Sequence, residues 1–194
     1  MKSVLLLGSI LLLSACGSMQ SQVVKKNVAF DPDSQAQIRS YGSYGSDLIR
    51  IYPETDCAKW EGTKRNTVNR RFVNGLPRKV RNISIGIPPT ELSRKTEKDT
   101  GFVFRDSYRE MVVSANQPVV LDGAFSSQTR NHHYSCRVAA SFTPKAGEAY
   151  EVRYLSEEEG CDIEVYHIGH EEKDGVRPTK KLTANYCAKP GTSF

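Results

Sequence analysis

Past residue 34 the chain alternates apolar and polar side chains with a period of two, which commits it to strands rather than helices. Tyr134, Cys136, Val138, Ala140 and Phe142 fall on one face, and Ser135, Arg137, Ser141 and Thr143 on the other. That is a half-buried strand. Pro144-Lys145-Ala146-Gly147 follows, with Pro and Gly placed for a tight turn. Residues 148–155 then alternate again, Tyr150, Val152 and Tyr154 against Glu151 and Arg153. Read together, the two runs predict a hairpin. A third run, 161–168, sets Cys161, Ile163 and Val165 on one face. Further strands are expected over 36–41, 48–52, 80–87, 108–114, 119–125 and 180–186, most of them separated by Gly, Pro, Asn or Ser. No segment carries a long helical pattern. Residues 90–101, polar and preceded by Pro88-Pro89, read as a long loop or a single helical turn. The expected fold is all-β: one antiparallel β-sandwich.

The first residues read differently. Lys2 precedes an apolar stretch, Val4, Leu5, Leu6, Leu7, Ile10, Leu11, Leu12 and Leu13, and small residues Ser14 and Ala15 follow. This is the layout of a secretory signal, and the stretch is too short for a stable membrane span. Leu13-Ser14-Ala15-Cys16 resembles the lipobox of bacterial lipoproteins. The resemblance implies cleavage before Cys16, thioether lipidation of its sulfur and acylation of its new amino group. Three acyl chains hold a protein firmly where one binds only marginally. In the Gram-negative pattern an Asp after the cysteine retains the protein at the inner membrane. Gly17 stands there, so the resemblance implies the outer membrane, with either face open. Residues 16–34 are polar and unpatterned, as in a flexible tether. The expected organisation is a signal peptide over 1–15, lipidated Cys16 and tether over 16–34, and one domain over 35–194, a length that can bury a sizeable core.

Four cysteines remain beyond the anchor, Cys57, Cys136, Cys161 and Cys187. An even number in an exported chain argues for two disulfides. If 180–186 folds back on 161–168, Cys187 arrives beside Cys161. In one flat sheet Cys136 and Cys161 would be separated by two strand spacings, roughly 9–10 Å, beyond disulfide reach. The pairs expected are Cys161–Cys187 and, by elimination, Cys57–Cys136. Against this, Cys187 shares strand parity with polar Lys181, Thr183 and Asn185, so a bulge or turn is needed. No Cys-x-x-Cys is present, so redox chemistry is not indicated.

The other chemistry-bearing residues form no catalytic signature. His132-His133 and His167…His170 are paired in sequence, and Glu164, Glu171 and Glu172 lie near the second pair. Such groups bind zinc or copper when they converge, but neighbours on a strand point to opposite faces, and the four read as solvated loop histidines. Glu157-Glu158-Glu159, Asp162 and Glu164 read as a solvated turn rather than the facing carboxylates of a hydrolase. No Gly-x-Ser-x-Gly elbow and no phosphate-binding glycine loop occurs. No metal or cofactor is expected.

Charge points to binding. Lys64, Arg65, Arg70, Arg71, Arg78, Lys79 and Arg81 form a run with no acid between Glu61 and Glu91, and Trp60 and Phe72 lie beside or within it. Such a stripe suits phosphates of lipid A, an anionic glycan or polymer, or an acidic protein face. The plainer reading is the solvated face of two strands and a loop. The net charge of +5 is too small for a dedicated nucleic-acid binder.

The stretch from Tyr108-Arg109-Glu110-Met111-Val112-Val113 to Phe142-Thr143-Pro144-Lys145-Ala146-Gly147-Glu148-Ala149-Tyr150-Glu151-Val152 is similar to small uncharacterised β-sandwich lipoproteins of the DUF2846-like kind. In those, a Pro-x-Gly-x-x-Tyr turn joins two core strands; here the turn has one residue more. The similarity covers about a quarter of the chain. It implies a fold and a location, and no activity or site residue. The functional expectation is a non-catalytic lipoprotein of the outer membrane, binding an envelope protein or an anionic envelope polymer. The alternative is a lipoprotein that binds a metal or small ligand and delivers it to a transporter. An enzyme acting on envelope glycan or peptide ranks third, for want of a paired acid–base or nucleophile signal.

Overall fold

The computed structural model describes residues 23–42, 48–67, 72–73, 76–77, 80–99, 105–128, 133–157 and 160–191. Cys16, the signal and the first part of the tether lie outside the described residues. The strands are β1 (Val23–Lys25), β2 (Gln35–Gly42), β3 (Leu48–Tyr52), β4 (Asn66–Thr67), β5 (Phe72–Val73), β6 (Leu76–Pro77), β7 (Asn82–Ser84), β8 (Ser107–Ser114), β9 (Val119–Gln128), β10 (His133–Phe142), β11 (Ala149–Glu157), β12 (Gly160–Ile168), β13 (Thr179–Leu182) and β14 (Asn185–Gly191). One helix, α1 (Glu91–Lys98), lies between β7 and β8.

The strands form an all-β sandwich. One sheet runs β1-β7-β8-β2-β11-β12-β13, the other β14-β10-β9-β3-β4, and β5 and β6 make a small ribbon. Period-two alternation explains the layers. Ile38, Ile49, Ile51, Val119, Leu121, Val138, Val152 and Val165 are all within 2 % of full burial between the sheets.

The pairings correct three expectations. The sandwich is not purely antiparallel, because β2 runs parallel to β11 and β1 parallel to β7. The 134–142 and 149–155 runs are not a hairpin. β10 pairs with β9 and β14, and β11 with β12 and β2, so the turn at 144–147 crosses between sheets. Its hydrogen bonds show why. The Gly147 N–H goes to Gln35 O and Pro144 O accepts the Asn116 N–H, so both are spent on other segments instead of closing a ladder. Phe142 and Tyr150 then meet edge to face across the core at 5.2 Å. The tether also orders earlier than residue 35, since Val23–Lys25 extends the edge of the larger sheet beside Asn82–Ser84.

The disulfides are Cys57–Cys187 and Cys136–Cys161, not Cys161–Cys187 and Cys57–Cys136. The 9–10 Å argument assumed one sheet. Cys136 on β10 and Cys161 on β12 belong to opposite sheets and face each other through the interior, with Cα atoms 6.0 Å apart. The 180–186 run does fold back on β12, but only through Leu182. After two residues outside any strand, β14 joins the other sheet beside β10. That break takes Cys187 away from Cys161 and resolves its conflicting parity.

A glycine inside β9 has a specific cause. A Cβ on Gly123 would stand 2.2 Å from the Tyr154 ring, and that ring is buried and donates its hydroxyl to Cys136 O at 3.2 Å. Gly in a strand interior often marks such a close approach. Gly123→Ala is expected to cost about 1–3 kcal/mol by overpacking, read as a lowered urea midpoint. An unchanged midpoint would show that the ring moves freely aside.

Candidate functional site

The outer face of the larger sheet, expected to be solvated, is covered. Gln37, Arg39 and Tyr41 alternate outward on β2, Tyr108 and Glu110 on β8, and Glu151 and Arg153 on β11. The loop after β7 and helix α1 cover this face, contacting Glu110 from residues 85–87, Arg39 from Ile87 and Pro88, Glu151 from Thr90 and Tyr108 from Glu97. Arg39 is 1 % exposed and Glu151 0 %. Arg39 Nε donates to Glu110 Oε1 at 2.8 Å and Nη1 to Glu151 Oε1 at 3.1 Å, while Nη2 donates to Ile87 O and Pro88 O. Burial alone would lower the Arg39 pKa, but the carboxylates of Glu110 and Glu151 outweigh it and hold the guanidinium charged. Burial and the neighbouring Glu151 push the Tyr41 hydroxyl far up, so it stays protonated and donates to Glu151.

This buried layer seats α1. The Thr90 hydroxyl accepts from Ser93 N and donates to Glu151 Oε1. The Ser93 hydroxyl accepts from Thr90 N, completing a capping box. Tyr108 donates to Glu97 Oε1 at 2.6 Å. Ser93 and Thr96 are therefore buried against the sheet, while Arg94, Lys95 and Lys98 are exposed. Lys95 and Lys98 stand in the last turn, where the helix dipole favours cations. The segment expected to be a long loop or a single helical turn is thus a two-turn helix, and the Thr-x-x-Ser after Pro88-Pro89 is its sequence signal.

A second segment closes a cleft beside the helix. Lys173 and Val176 exchange backbone hydrogen bonds across a turn with positive φ at Asp174 and Gly175, and Arg177 N–H donates to Pro89 O at 2.8 Å. Between α1 and residues 176–179 lies a cleft of about 580 Å³. Five cations line it, Arg94, Lys95, Lys98, Arg153 and Arg177, against one acid, Glu91. Arg153 stacks over Tyr166 at 4.3 Å and reaches Glu151 Oε2 at 3.4 Å. The Nε atoms of Arg153 and Arg177 are buried and lack a hydrogen-bond partner. Those two atoms face protein rather than the cleft; what the cleft offers an anion is the excess of cationic side chains along its walls, which suits phosphate or carboxylate.

The expected basic stretch is placed only in part. Trp60 is 5 % exposed, packed edge to face on Tyr52 at 5.2 Å with the Arg137 guanidinium 4.9 Å over its ring. It packs on the outer face of the smaller sheet and is buried there. Lys64, Arg65 and Arg81 are exposed. Arg70, Arg71, Arg78 and Lys79 lie outside the described residues, as does the side chain of Phe72. The cleft cations went unnoticed in sequence because they come from three segments spread over 94–177; only Arg94-Lys95 and Lys98 formed a local signal.

The histidines also divide. His133 is exposed at the start of β10, and His132 lies outside the described residues. His167 and His170 converge on Glu148. Hydrogen bonding from His167, and less from His170, holds the Glu148 carboxyl below the usual carboxylate range against the opposing effect of burial. Asp162 accepts from Tyr186 and Glu164 from Lys181 and Tyr166, so these acids are engaged singly. Among the described residues no helix is long and apolar enough to cross a membrane. No family model matches this sequence, and neither a curated protein nor a solved structure is found similar to it.

Proposed function

We propose that the protein is a non-catalytic lipoprotein of the outer membrane, anchored through Cys16, that binds an anionic envelope component in the cleft between α1 and residues 176–179. The observation that carries the reading is the cleft's charge: among the described residues five cations line it against one carboxylate. The partner class is a phosphate- or carboxylate-bearing polymer, or the acidic face of an envelope protein. Among the described residues the lining holds two threonines but no histidine, cysteine or serine, and one carboxylate where glycoside hydrolysis uses two. That composition favours binding over acyl or glycosyl transfer. The lipobox resemblance supports the address, and lipidation predicts diacylglycerol and acyl increments in the intact mass of the membrane form.

The test is crosslinking in intact cells followed by purification of the lipidated protein. Arg94→Ser/Lys95→Ser/Lys98→Ser removes three exposed cations without touching the buried layer. At about 0.2–1 kcal/mol each, their loss is expected to weaken capture about threefold to a hundredfold, with residual capture falling further as salt rises. A parallel variant replaces Arg70, Arg71, Arg78 and Lys79 by Ser. If only that variant loses the partner, the binding face is the 64–81 stretch and the cleft reading is wrong.

A further inference from the structure

The rim of the sandwich where β11 begins gathers a set of groups unrelated to the cleft. Tyr150 on β11 is directly opposite His167 on β12, so Glu148, two residues before Tyr150, lies on the same face at the open end. Gly169 N–H donates to Pro178 O and turns the chain, which brings His170 back to the same place. His167 Nε2 stands 2.6 Å from Glu148 Oε2, and His170 Nε2 stands 3.1 Å from Oε2 and 3.3 Å from Oε1. The three donor atoms all lie within 4.8 Å of one another.

We propose that Glu148, His167 and His170 form a binding site for a divalent transition-metal ion, zinc foremost. Tetrahedral zinc, with bonds of about 2.0–2.1 Å, sets neighbouring donors about 3.3 Å apart. His170 already meets that spacing, and His167 needs to open by less than about 1 Å, within reach of a carboxylate rotation. Two imidazoles with one carboxylate suit zinc, copper or nickel; calcium asks for six to eight oxygens and magnesium for an oxygen octahedron.

The frame is built in advance, which favours affinity. Glu148 is held on both sides of its own backbone, N–H to Lys145 O and C=O from Gln37 N–H. The His167 ring rests edge to face on Tyr150 at 5.7 Å, and the Tyr150 hydroxyl is itself tied to Lys145 N. The side chains of Glu148 and His167 are about a quarter exposed, and that of His170 is 68 % exposed. Three protein ligands with one open side are the arrangement that leaves a coordination position for water or for a ligand from a partner. The site therefore adds an ion, or an ion-bridged contact, to a protein whose other binding surface is for anions.

The experiment is calorimetric titration of the chelator-treated, lipidated protein with zinc chloride, with zinc-edge X-ray absorption on the loaded sample. One equivalent is expected, with nitrogen and oxygen ligands and no sulfur, undisplaced by millimolar calcium. His170→Asn changes an exposed side chain, so folding is not at stake, and it should weaken zinc binding by at least about tenfold. Glu148→Gln should do the same. Substoichiometric uptake, sulfur ligation, or an affinity that His170→Asn leaves intact would each overturn the site.

Discussion

Arg39→Met is expected to lower the unfolding free energy by about 3–5 kcal/mol, a large share of the about 5–15 kcal/mol that holds a domain together. The side chain is nearly isosteric in its apolar part, so the loss measures charge. Without the guanidinium, Glu110 and Glu151 are two buried carboxylates with no cation between them. They are not equally exposed to the loss. Glu151 keeps Arg153 at 3.4 Å and the hydroxyls of Tyr41 and Thr90. Glu110 keeps the N–H groups of Ile85, Gly86 and Ile87 and the Ser84 hydroxyl on Oε2. Backbone donors of that kind stabilise the carboxylate but do not neutralise it. The loop at 84–87 wraps the Glu110 oxygen, helped by the positive φ of Gly86, so Glu110→Leu should free the loop and tilt α1 away from the sheet. Urea unfolding measures the first effect. A loss below about 1 kcal/mol for Arg39→Met would mean that water enters the layer and shares the charge. Adding Glu151→Gln to Arg39→Met should recover part of the loss, because it removes one of the two uncompensated buried charges and leaves Glu110 on its loop N–H groups.

That same layer shows where sequence reading stopped. Alternation placed Val138, Val152 and Val165 on the core faces correctly, because burial between two sheets imposes period two on every strand. It also set Glu151 and Arg153 on the face opposite the apolar residues, where a charged residue is usually wet, and it gave no sign that Arg39 and Glu110 join Glu151 in a buried layer. Only the tertiary arrival of α1 overrides this, and α1 itself rests on a capping box of four residues. The β10–β11 turn was misread for a related reason. Pro and Gly specify that the chain bends, but the partner of each freed N–H decides whether it bends into a hairpin or across to the other sheet. The Glu148–His167 approach was closer to legible. The β11–β12 pairing of 148–155 with 161–168 could have been drawn from the alternation alone, and its register sets residue 150 opposite residue 167, with residue 148 two positions on along the same face. The cleft was not legible at all as a set, because residues 94, 153 and 177 share nothing local.

Loss of the Cys57–Cys187 bond is expected to destabilise more than loss of Cys136–Cys161, although the second is the one in the core. The first closes a separation of 130 residues and the second of 25. In the chain-entropy account these correspond to about 5 and about 3.5 kcal/mol at room temperature. Burial works the other way. Cys136 and Cys161 are 2 % and 6 % exposed and bridge the two sheets, so Cys136→Ala/Cys161→Ala also leaves a gap among Val138, Ile163 and Tyr154, adding about 1 kcal/mol. The Cys57–Cys187 bond fastens the loop after β3 to edge strand β14, beside Tyr52, Trp60 and Val120. Without it β14 is held by the β10 ladder, whose register is irregular between Arg137 and Ala140, and by the exposed hydrogen bond from Tyr186 to Asp162. Cys57→Ser/Cys187→Ser should therefore show early amide exchange confined to β14 as well as a lower urea midpoint. A peptide map of the unreduced protein settles the pairing. A peptide containing both Cys161 and Cys187 would refute the crossing of β14 between sheets, and with it the order of strands around the core.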